Sequence, residues 1–232
     1  MSASCFTAKI LYNGETMKKH IIHFTEMLIG ITCVCAGAAL GIIAALGQTT
    51  STGTSYALAG ALGIRVGYGL IILYGFFMVL QMIALGRNFC ISAFIQVVPV
   101  VLHGWILNFF KYDFPPFLAL NPQTYLQRFA VYAIGVVLIS FGFTCTKASR
   151  FANYPPETFC AVMSQRAGVK FGTGKIVMDI CYVATSLALC FLFKMDYGVV
   201  REGTLIFAIA NGTLINLFTP FVENLFAKAE KI

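Results

Sequence analysis

Long apolar runs separated by short polar stretches extend along most of this chain. Six of these runs hold about 20 residues, enough for an α-helix to cross a hydrocarbon core of roughly 30 Å. The pattern therefore predicts an all-α membrane protein with six transmembrane helices. The predicted spans are 23–47, 67–86, 89–110, 128–147, 174–193 and 203–226.

Two further segments are too short to cross a membrane as helices. The first joins a run of hydroxyl residues, 48–55, to the apolar stretch 56–62. The second, 156–168, is entered through Pro155 and Pro156 and is more polar. Short segments of this kind are typical of re-entrant or interfacial helices. We therefore expect one such helix after the first span and one after the fourth.

A glycine motif follows each short segment. Gly63-Ile64-Arg65-Val66-Gly67-Tyr68-Gly69 recurs 105 residues later as Gly168-Val169-Lys170-Phe171-Gly172-Thr173-Gly174. Similarity at a fixed spacing indicates a duplicated structural unit. Two units with three crossings each must have opposite orientations, so the fold is predicted to be two inverted three-helix repeats.

The same offset relates residues outside the motif. After three inserted residues in the second unit, the third spans also correspond. The matched residues are Gly30 with Gly135, Gly37 with Gly142, Tyr74 with Asp179, Gln81 with Ser186, His103 with Asn211, Gly104 with Gly212, and Asn108 with Asn216.

This duplication divides the chain into five regions. A polar lead precedes the first repeat, a proline-containing linker joins the two repeats, and a short tail ends the chain. The predicted regions are the lead 1–22, the first repeat 23–110, the linker 111–127, the second repeat 128–226 and the tail 227–232.

Composition agrees with an integral membrane protein. Hydrophobic residues make up 59% and charged residues 11% of the chain, whereas soluble domains carry about 25% charged residues. The net charge of +7 comes from cations scattered singly, which does not favour a nucleic-acid surface.

The distribution of Lys and Arg predicts an orientation. With the N-terminus in the cytoplasm, the outer side receives only five of the sixteen basic residues: Arg65, Lys111, Arg128, Lys194 and Arg201. This bias predicts a multi-pass protein of the cytoplasmic membrane with both termini inside.

The motifs of several enzyme and cofactor classes are missing from the sequence. It has no His-Glu-x-x-His, no phosphate loop, and no paired nucleophile and base at an informative spacing. Most of the eight cysteines fall in apolar runs, where a thiol acts as a small packing group. We therefore predict no catalytic site, no cofactor and no metal site.

Polar residues inside the spans are candidates for a substrate site because such residues are costly in lipid. Asp179 lies about one turn into its predicted helix. It either acts in function, by contacting a cationic or hydroxyl-bearing substrate or by carrying a proton, or only pairs with Lys175 four residues earlier. Tyr74 and Gln81 form the corresponding stripe in the first unit. These two interpretations of Asp179 stay open.

Three further positions are candidates with simpler alternatives. His103 is a residue that can titrate during transport, although a histidine at this depth more often hydrogen-bonds a neighbouring helix. Asn211 corresponds to His103 in the second unit. Asn108 and Asn216 are also equivalent, and helix–helix hydrogen bonding is their default role. Thr54 and Ser55 belong to the hydroxyl run, which is either a polar binding loop at a helix N-terminus or a solvated loop.

The sequence resembles the bacterial YitT/YczE integral membrane family over about 25–226. The resemblance rests on Gly53-Thr54-Ser55, on the repeated glycine motif, and on Gly203-Thr204-Leu205 ahead of Asn211-Gly212. Tyr56 departs from the pattern, in which proline often follows, and the first copy lacks a clear Gly-Thr before His103. The resemblance implies the fold and the membrane location and adds little about a substrate.

The function predicted from these features is a small transporter or permease for an unidentified solute. Its site would lie between the repeats and include Thr54, Ser55, Gln81, His103, Asp179 and Asn211. The alternatives are a substrate-binding subunit that needs an energising partner and a membrane regulator or assembly factor. The expected partners are the lipid bilayer and a small molecule or ion, with a homo-oligomer left open.

Overall fold

A computed structural model describes residues 17–149, 151–194 and 201–229, and every regular element in these ranges is a helix. Shorter 3₁₀ turns cover Gly86–Asn88 and Ile91–Gln96, and a π-helical turn covers Phe109–Asp113. The α-helices are α1 (Met17–Ala44), α2 (Thr50–Leu62), α3 (Val66–Leu85), α4 (Val97–Asn108), α5 (Pro115–Leu118), α6 (Tyr125–Ala148), α7 (Pro155–Arg166), α8 (Phe171–Leu192) and α9 (Glu202–Ala229).

Five helical segments in the described residues are long and apolar enough to cross a membrane, which supports a multi-pass membrane protein. They are Ile21–Ala44, Val66–Asn88, Ile91–Asp113, Tyr125–Ala148 and Phe171–Leu192. The predicted sixth span corresponds to α9, a long helix with Pro220 inside it. Since α9 is not among the five, the count of six stays a prediction.

The third span is less regular than the predicted continuous helix 89–110. It consists of a 3₁₀ stretch, then α4, then a π turn. Pro99 lies in the first turn of α4, where its missing N–H costs no helical hydrogen bond. The proline therefore fits where the backbone changes from 3₁₀ to α-helical geometry.

Glycines bring α1 and α6 into backbone contact. A Cβ atom built on Gly37 would lie 2.5 Å from the carbonyl oxygen of Gly135, and one built on Gly30 would lie 2.8 Å from that of Gly142. The register shows that the two helices run antiparallel. Apolar side chains alone gain little from association in lipid, so this close approach is what holds the first spans of the two units together.

The glycine motif positions the two short helices. Gly63 and Gly168 have φ of +66° and +68° and end α2 and α7 in left-handed backbone. In both cases the next N–H returns to the last turn, Ile64 to the Ala59 carbonyl and Val169 to that of Ser164, each at 3.0 Å. Each short helix thereby stops and reverses into the following span.

The last glycine of each motif lets the short helix pack on the span that follows. A Cβ on Gly69 would lie 2.5 Å from the Ser55 carbonyl oxygen, and one on Gly174 would overlap the Ser164 hydroxyl. Each short helix also packs on the second span of the other unit: α2 contacts α3 and α8, and α7 contacts α8 and α3. The short helices therefore link the two units.

The middle glycine of the motif has different surroundings in the two units. In the first unit a Cβ on Gly67 would overlap the Gly104 carbonyl, and the Gly67 N–H donates to Asn108 Oδ1 at 2.8 Å. In the second unit the corresponding Gly172 and Gly212 have nothing within 4 Å of a Cβ. The contact that joins α3 to α4 has no counterpart between α8 and α9, and α9 packs on α6 instead.

We expect Gly104→Ala to destabilise the protein and Gly212→Ala not to. At Gly104 the new methyl group would lie 2.5 Å from Ile71 and 2.6 Å from the Gly67 carbonyl. The free energy of unfolding should therefore fall by about 1–3 kcal/mol, and the melting temperature should fall with it. At Gly212 the space is open, and alanine should leave stability unchanged or raise it by up to about 1 kcal/mol. Thermal unfolding of the detergent-purified variants measures both, and an equal loss in the two would contradict the different packing of the two units.

Candidate functional site

Asp179 lies where α8 meets the N-terminus of α2. Its Oδ1 atom accepts hydrogen bonds from Thr50 Oγ1 at 2.7 Å and from Lys175 Nζ at 2.8 Å. The ion pair with Lys175 is therefore formed, and a hydroxyl from the other unit joins it. About a third of the Asp179 side chain is exposed. Oδ2 has no hydrogen-bond partner within the described residues.

Thr54 makes the next contact between the units, one turn further along α2. Its buried hydroxyl lies 3.0 Å from the Tyr182 carbonyl oxygen and 3.0 Å from Ser186 Oγ, both on α8. The hydroxyl run is thus the first part of a buried helix that begins at Thr50 rather than a solvated loop. Two of its side chains bind directly to the second unit.

His103 reaches the other short helix. Its Nδ1 atom lies 3.2 Å from the hydroxyl of Tyr154, the residue that precedes the first turn of α7. Burial raises the pKa of the Tyr154 hydroxyl well above its ordinary value, so it stays protonated. The rings of Tyr74 and Tyr154 are 5.5 Å apart, and Tyr74 also interacts with Ser51 on α2. Tyr74 therefore connects the starts of both short helices.

Glu157 is an acid that sequence reasoning did not include in the site. It lies in the first turn of α7 and is an exposed residue. Desolvation raises the pKa of its carboxyl, and the Lys175 and Lys147 ammonium groups oppose that shift. Within the described residues the carboxylate makes no hydrogen bond or ion pair. The feature of the sequence that could have identified Glu157 is an acidic residue directly after Pro155-Pro156 in a short helix.

Tyr182 completes the group from α8. Its ring lies 5.4 Å from that of Phe77, and the Lys175 ammonium is 6.0 Å from its centroid. Its hydroxyl is buried without a hydrogen-bond partner in the described part of the chain, and it interacts electrostatically with Asp179 and Glu157. We call this group the central cluster: Thr50, Thr54, Tyr74, His103, Tyr154, Glu157, Lys175, Asp179 and Tyr182.

Three predicted site residues have other roles in the structure. Ser55 donates to the Ser51 carbonyl at 2.9 Å inside its own helix. Asn211 accepts from Ser140 Oγ at 2.9 Å between α9 and α6, where it joins two helices. Gln81 is buried two turns along α3 from Tyr74, and its Oε1 atom has no hydrogen bond within the described residues. None of the three makes a described hydrogen bond to the central cluster.

Cavity space and metal-binding groups are scarce among the described residues. A recess between α1, α6 and α9 encloses about 10 Å³, roughly one water molecule, and is lined by Gly41, Gln48 and Tyr132 among others. Its lining includes Thr49, the residue before Thr50 of the central cluster. No group of three His, Cys, Asp or Glu residues in the described ranges is arranged to hold a metal ion.

Comparison with known protein families identifies one family whose model matches most of the chain. Residues 21–220 match the Family of unknown function DUF6198. The chain belongs to DUF6198. The match covers both glycine motifs and the whole central cluster. No curated protein and no solved structure matches the chain. The matching family is not YitT/YczE, and that resemblance stays a prediction.

We expect Thr54→Val to weaken the contact between the units more than Ser55→Ala does. Both side chains are buried, but the Thr54 hydroxyl bonds to α8 whereas that of Ser55 bonds only to its own helix. Losing the cross-unit bonds should cost about 1 kcal/mol or more, seen as a lower melting temperature in detergent. A larger loss for Ser55→Ala would contradict this role for Thr54.

Proposed function

We propose that this DUF6198 protein is a permease for a small solute and that the central cluster is its binding site. The observation that carries the proposal is the contact of both units at one polar group. Asp179 of the second unit bonds to Thr50 of the first, and His103 of the first bonds to Tyr154 of the second. A solute bound there would contact both units at once, as transport by relative movement of repeats requires.

The glycine contacts support an inverted arrangement of the two units. Gly30 corresponds to Gly135 and Gly37 to Gly142, yet Gly30 touches Gly142 and Gly37 touches Gly135. Exchanging the two units reproduces the same pair of contacts, as a two-fold axis would. Because α1 and α6 are antiparallel, such an axis runs across them and would lie in the membrane plane. We therefore propose two inverted three-span repeats with α9 as the sixth span.

The short helices fit a re-entrant role within this proposal. At about 1.5 Å per residue, thirteen residues of α2 extend roughly 20 Å, less than the hydrocarbon core. Both helices begin beside Tyr74, and helix N-termini at membrane depth attract polar groups of a substrate. Interrupted helices that meet between repeats are typical of secondary transporters.

The different packing of the two units suggests how the permease would move. The first unit has α3 and α4 joined at Gly67 and Gly104, whereas the equivalent surfaces of α8 and α9 are apart. We propose that α9 closes on α8 through Gly172 and Gly212 in a second state while α4 separates from α3. Each unit would then take both arrangements in one transport cycle.

The open faces of α8 and α9 also favour a second candidate function. Small residues on a lipid-facing helix are typical of helix–helix contact in membranes, so another subunit would fit there. The chain would then be a binding subunit or a regulator that works with a partner. The chain purified alone and placed in liposomes discriminates the two functions. A permease transports its ligand without a partner, whereas a binding subunit or regulator gives no flux.

We expect Asp179→Asn to abolish ligand binding and flux, because it removes the charge on which Thr50 and Lys175 converge. A thermal-shift screen of purified protein against amines, amino acids, vitamins and nucleobases finds the ligand, since a ligand that binds only the folded state raises the melting temperature. Liposome flux of that ligand is the second readout. His103→Ala should also abolish flux without lowering membrane abundance.

Asp113→Asn is the matched control. It makes the same chemical change in a half-exposed ion pair with Arg65, 2.9 Å long and remote from the central cluster. Binding and flux should stay at the wild-type level. If Asp179→Asn keeps full binding, or if both variants lose it equally, the central cluster is not the site.

The proposed closure predicts a variant that binds but does not transport. Gly212→Leu has space in the described structure, so it should keep the melting temperature and the ligand-induced shift. Its side chain would block closure on Gly172, and flux should fall at least tenfold. A Gly212→Leu variant with normal flux would overturn the closure of α9 on α8.

A further inference from the structure

We infer that the solute is a small organic cation, a protonated amine or guanidine, and that Lys175 is a tethered cation which this solute displaces from Asp179. The inference rests on the proposed function for the location of the site and adds the chemical class of the ligand. It follows from the hydrogen-bonding capacity of the central cluster and from the aromatic rings that line it.

The central cluster has acceptors to spare. Lys175 and Thr50 both bond to Oδ1 of Asp179, which leaves Oδ2 without a partner in the described residues. Glu157, close to Lys175, has a carboxylate that makes no described hydrogen bond or ion pair. A ligand that complements this group must bring donors and positive charge. Ammonium and guanidinium groups have several donors and no acceptor.

The buried hydroxyl of Tyr182 is an independent sign of a missing partner. Only 3% of this residue is exposed, and its oxygen has no hydrogen bond within the described ranges. Tyr182 lies on α8 less than one turn from Asp179, and the Lys175 ammonium is 6.0 Å from its ring centroid. Leaving a buried polar group unpaired is costly, so a polar ligand group bound beside Asp179 would supply the missing partner.

The walls of the central cluster also suit a cation. Tyr74, Tyr154 and Tyr182 present aromatic rings, and Phe77 packs on Tyr182. Ring faces attract ammonium and guanidinium groups within about 6 Å of the centroid. The Lys175 ammonium already has these surroundings, 2.8 Å from Asp179 Oδ1 and 6.0 Å from the Tyr182 centroid. The protein thus holds a cation where we infer the ligand binds.

Lys175 is suited to leave this position. Its side chain is more than a third exposed, and an i,i+4 ion pair of that exposure is weak. A ligand cation that also donates to Asp179 Oδ2, Glu157 and the Tyr182 hydroxyl would gain bonds that the tethered ammonium does not make. Displacement of Lys175 is therefore expected on ligand entry.

Guanidinium and urea test the inference, because they have nearly the same shape and differ in charge. At millimolar concentration, guanidinium and methylammonium should raise the melting temperature of the purified protein, and urea should not. Asp179→Asn and Glu157→Gln should lose the shift, whereas Asp113→Asn should keep it. Calorimetric titration with guanidinium gives the affinity in each variant.

The guanidinium affinity of Lys175 variants tests whether Lys175 competes with the ligand, because a lysine with only a structural role would not lower that affinity. Lys175→Gln removes the tethered competitor, so guanidinium should bind about two- to fivefold more tightly, as expected for loss of one part-exposed ion pair. Lys175→Arg keeps a tethered cation and should bind guanidinium like the wild type. Weaker binding in Lys175→Gln would overturn the displacement of Lys175.

The remaining outcomes separate this inference from the proposed permease. If a neutral or anionic solute gives the shift that Asp179→Asn abolishes, and neither cation does, the ligand class is wrong and the permease proposal stands. If the cations bind as expected but no cation flux appears in liposomes, the ligand class stands and the permease proposal fails. If neither cation shifts the wild type or Lys175→Gln, the cation inference is overturned.

Discussion

The antiparallel contact of α1 with α6 is the interaction on which the other packing depends. Glycines at Gly37 and Gly135 let the two backbones touch, and in lipid such close packing replaces the hydrophobic driving force available in water. Two further helices then pack on this pair, α4 on α1 and α9 on α6. The second spans and short helices lie outside it, where each short helix bridges both units.

Polar side chains between the units have two roles that are hard to separate. Buried hydroxyls must bond to something within the protein, and Thr54 does so across the unit boundary. That bond fixes the position of α2 against α8, and this position in turn places Thr50 on Asp179. The same group includes Glu157 and the Tyr182 hydroxyl, which have no hydrogen-bond partner among the described residues. In the proposed permease, a structural contact and a ligand site therefore share one set of residues.

Much of the local structure follows from the sequence, because helices in lipid depend on nearby residues. The length of the two short segments indicates short helices, and the glycine after each of them, Gly63 or Gly168, permits a left-handed end. The spacing of four residues brings Lys175 and Asp179 together on one helix. Contacts between distant segments do not, since periodicity gives the face of a helix but not the helix that it meets. The bond from Thr50 to Asp179 joins residues 129 apart, and Glu157 is recognised only once α7 is placed. For the same reason, the sequence does not show that Asn211 bonds to Ser140 while the equivalent His103 bonds to Tyr154.

The unequal packing of the two units shows that one sequence motif supports two arrangements. Gly67 is covered by α4, and its N–H is bonded to Asn108, while the equivalent Gly172 is open. The motif residues agree in type, so their chemistry does not by itself select either arrangement. Surrounding contacts of a few kcal/mol decide, and a ligand shifts such an equilibrium by as much as its affinity differs between the two states. In the proposed permease, the central cluster touches both units, so a ligand bound there would provide that difference.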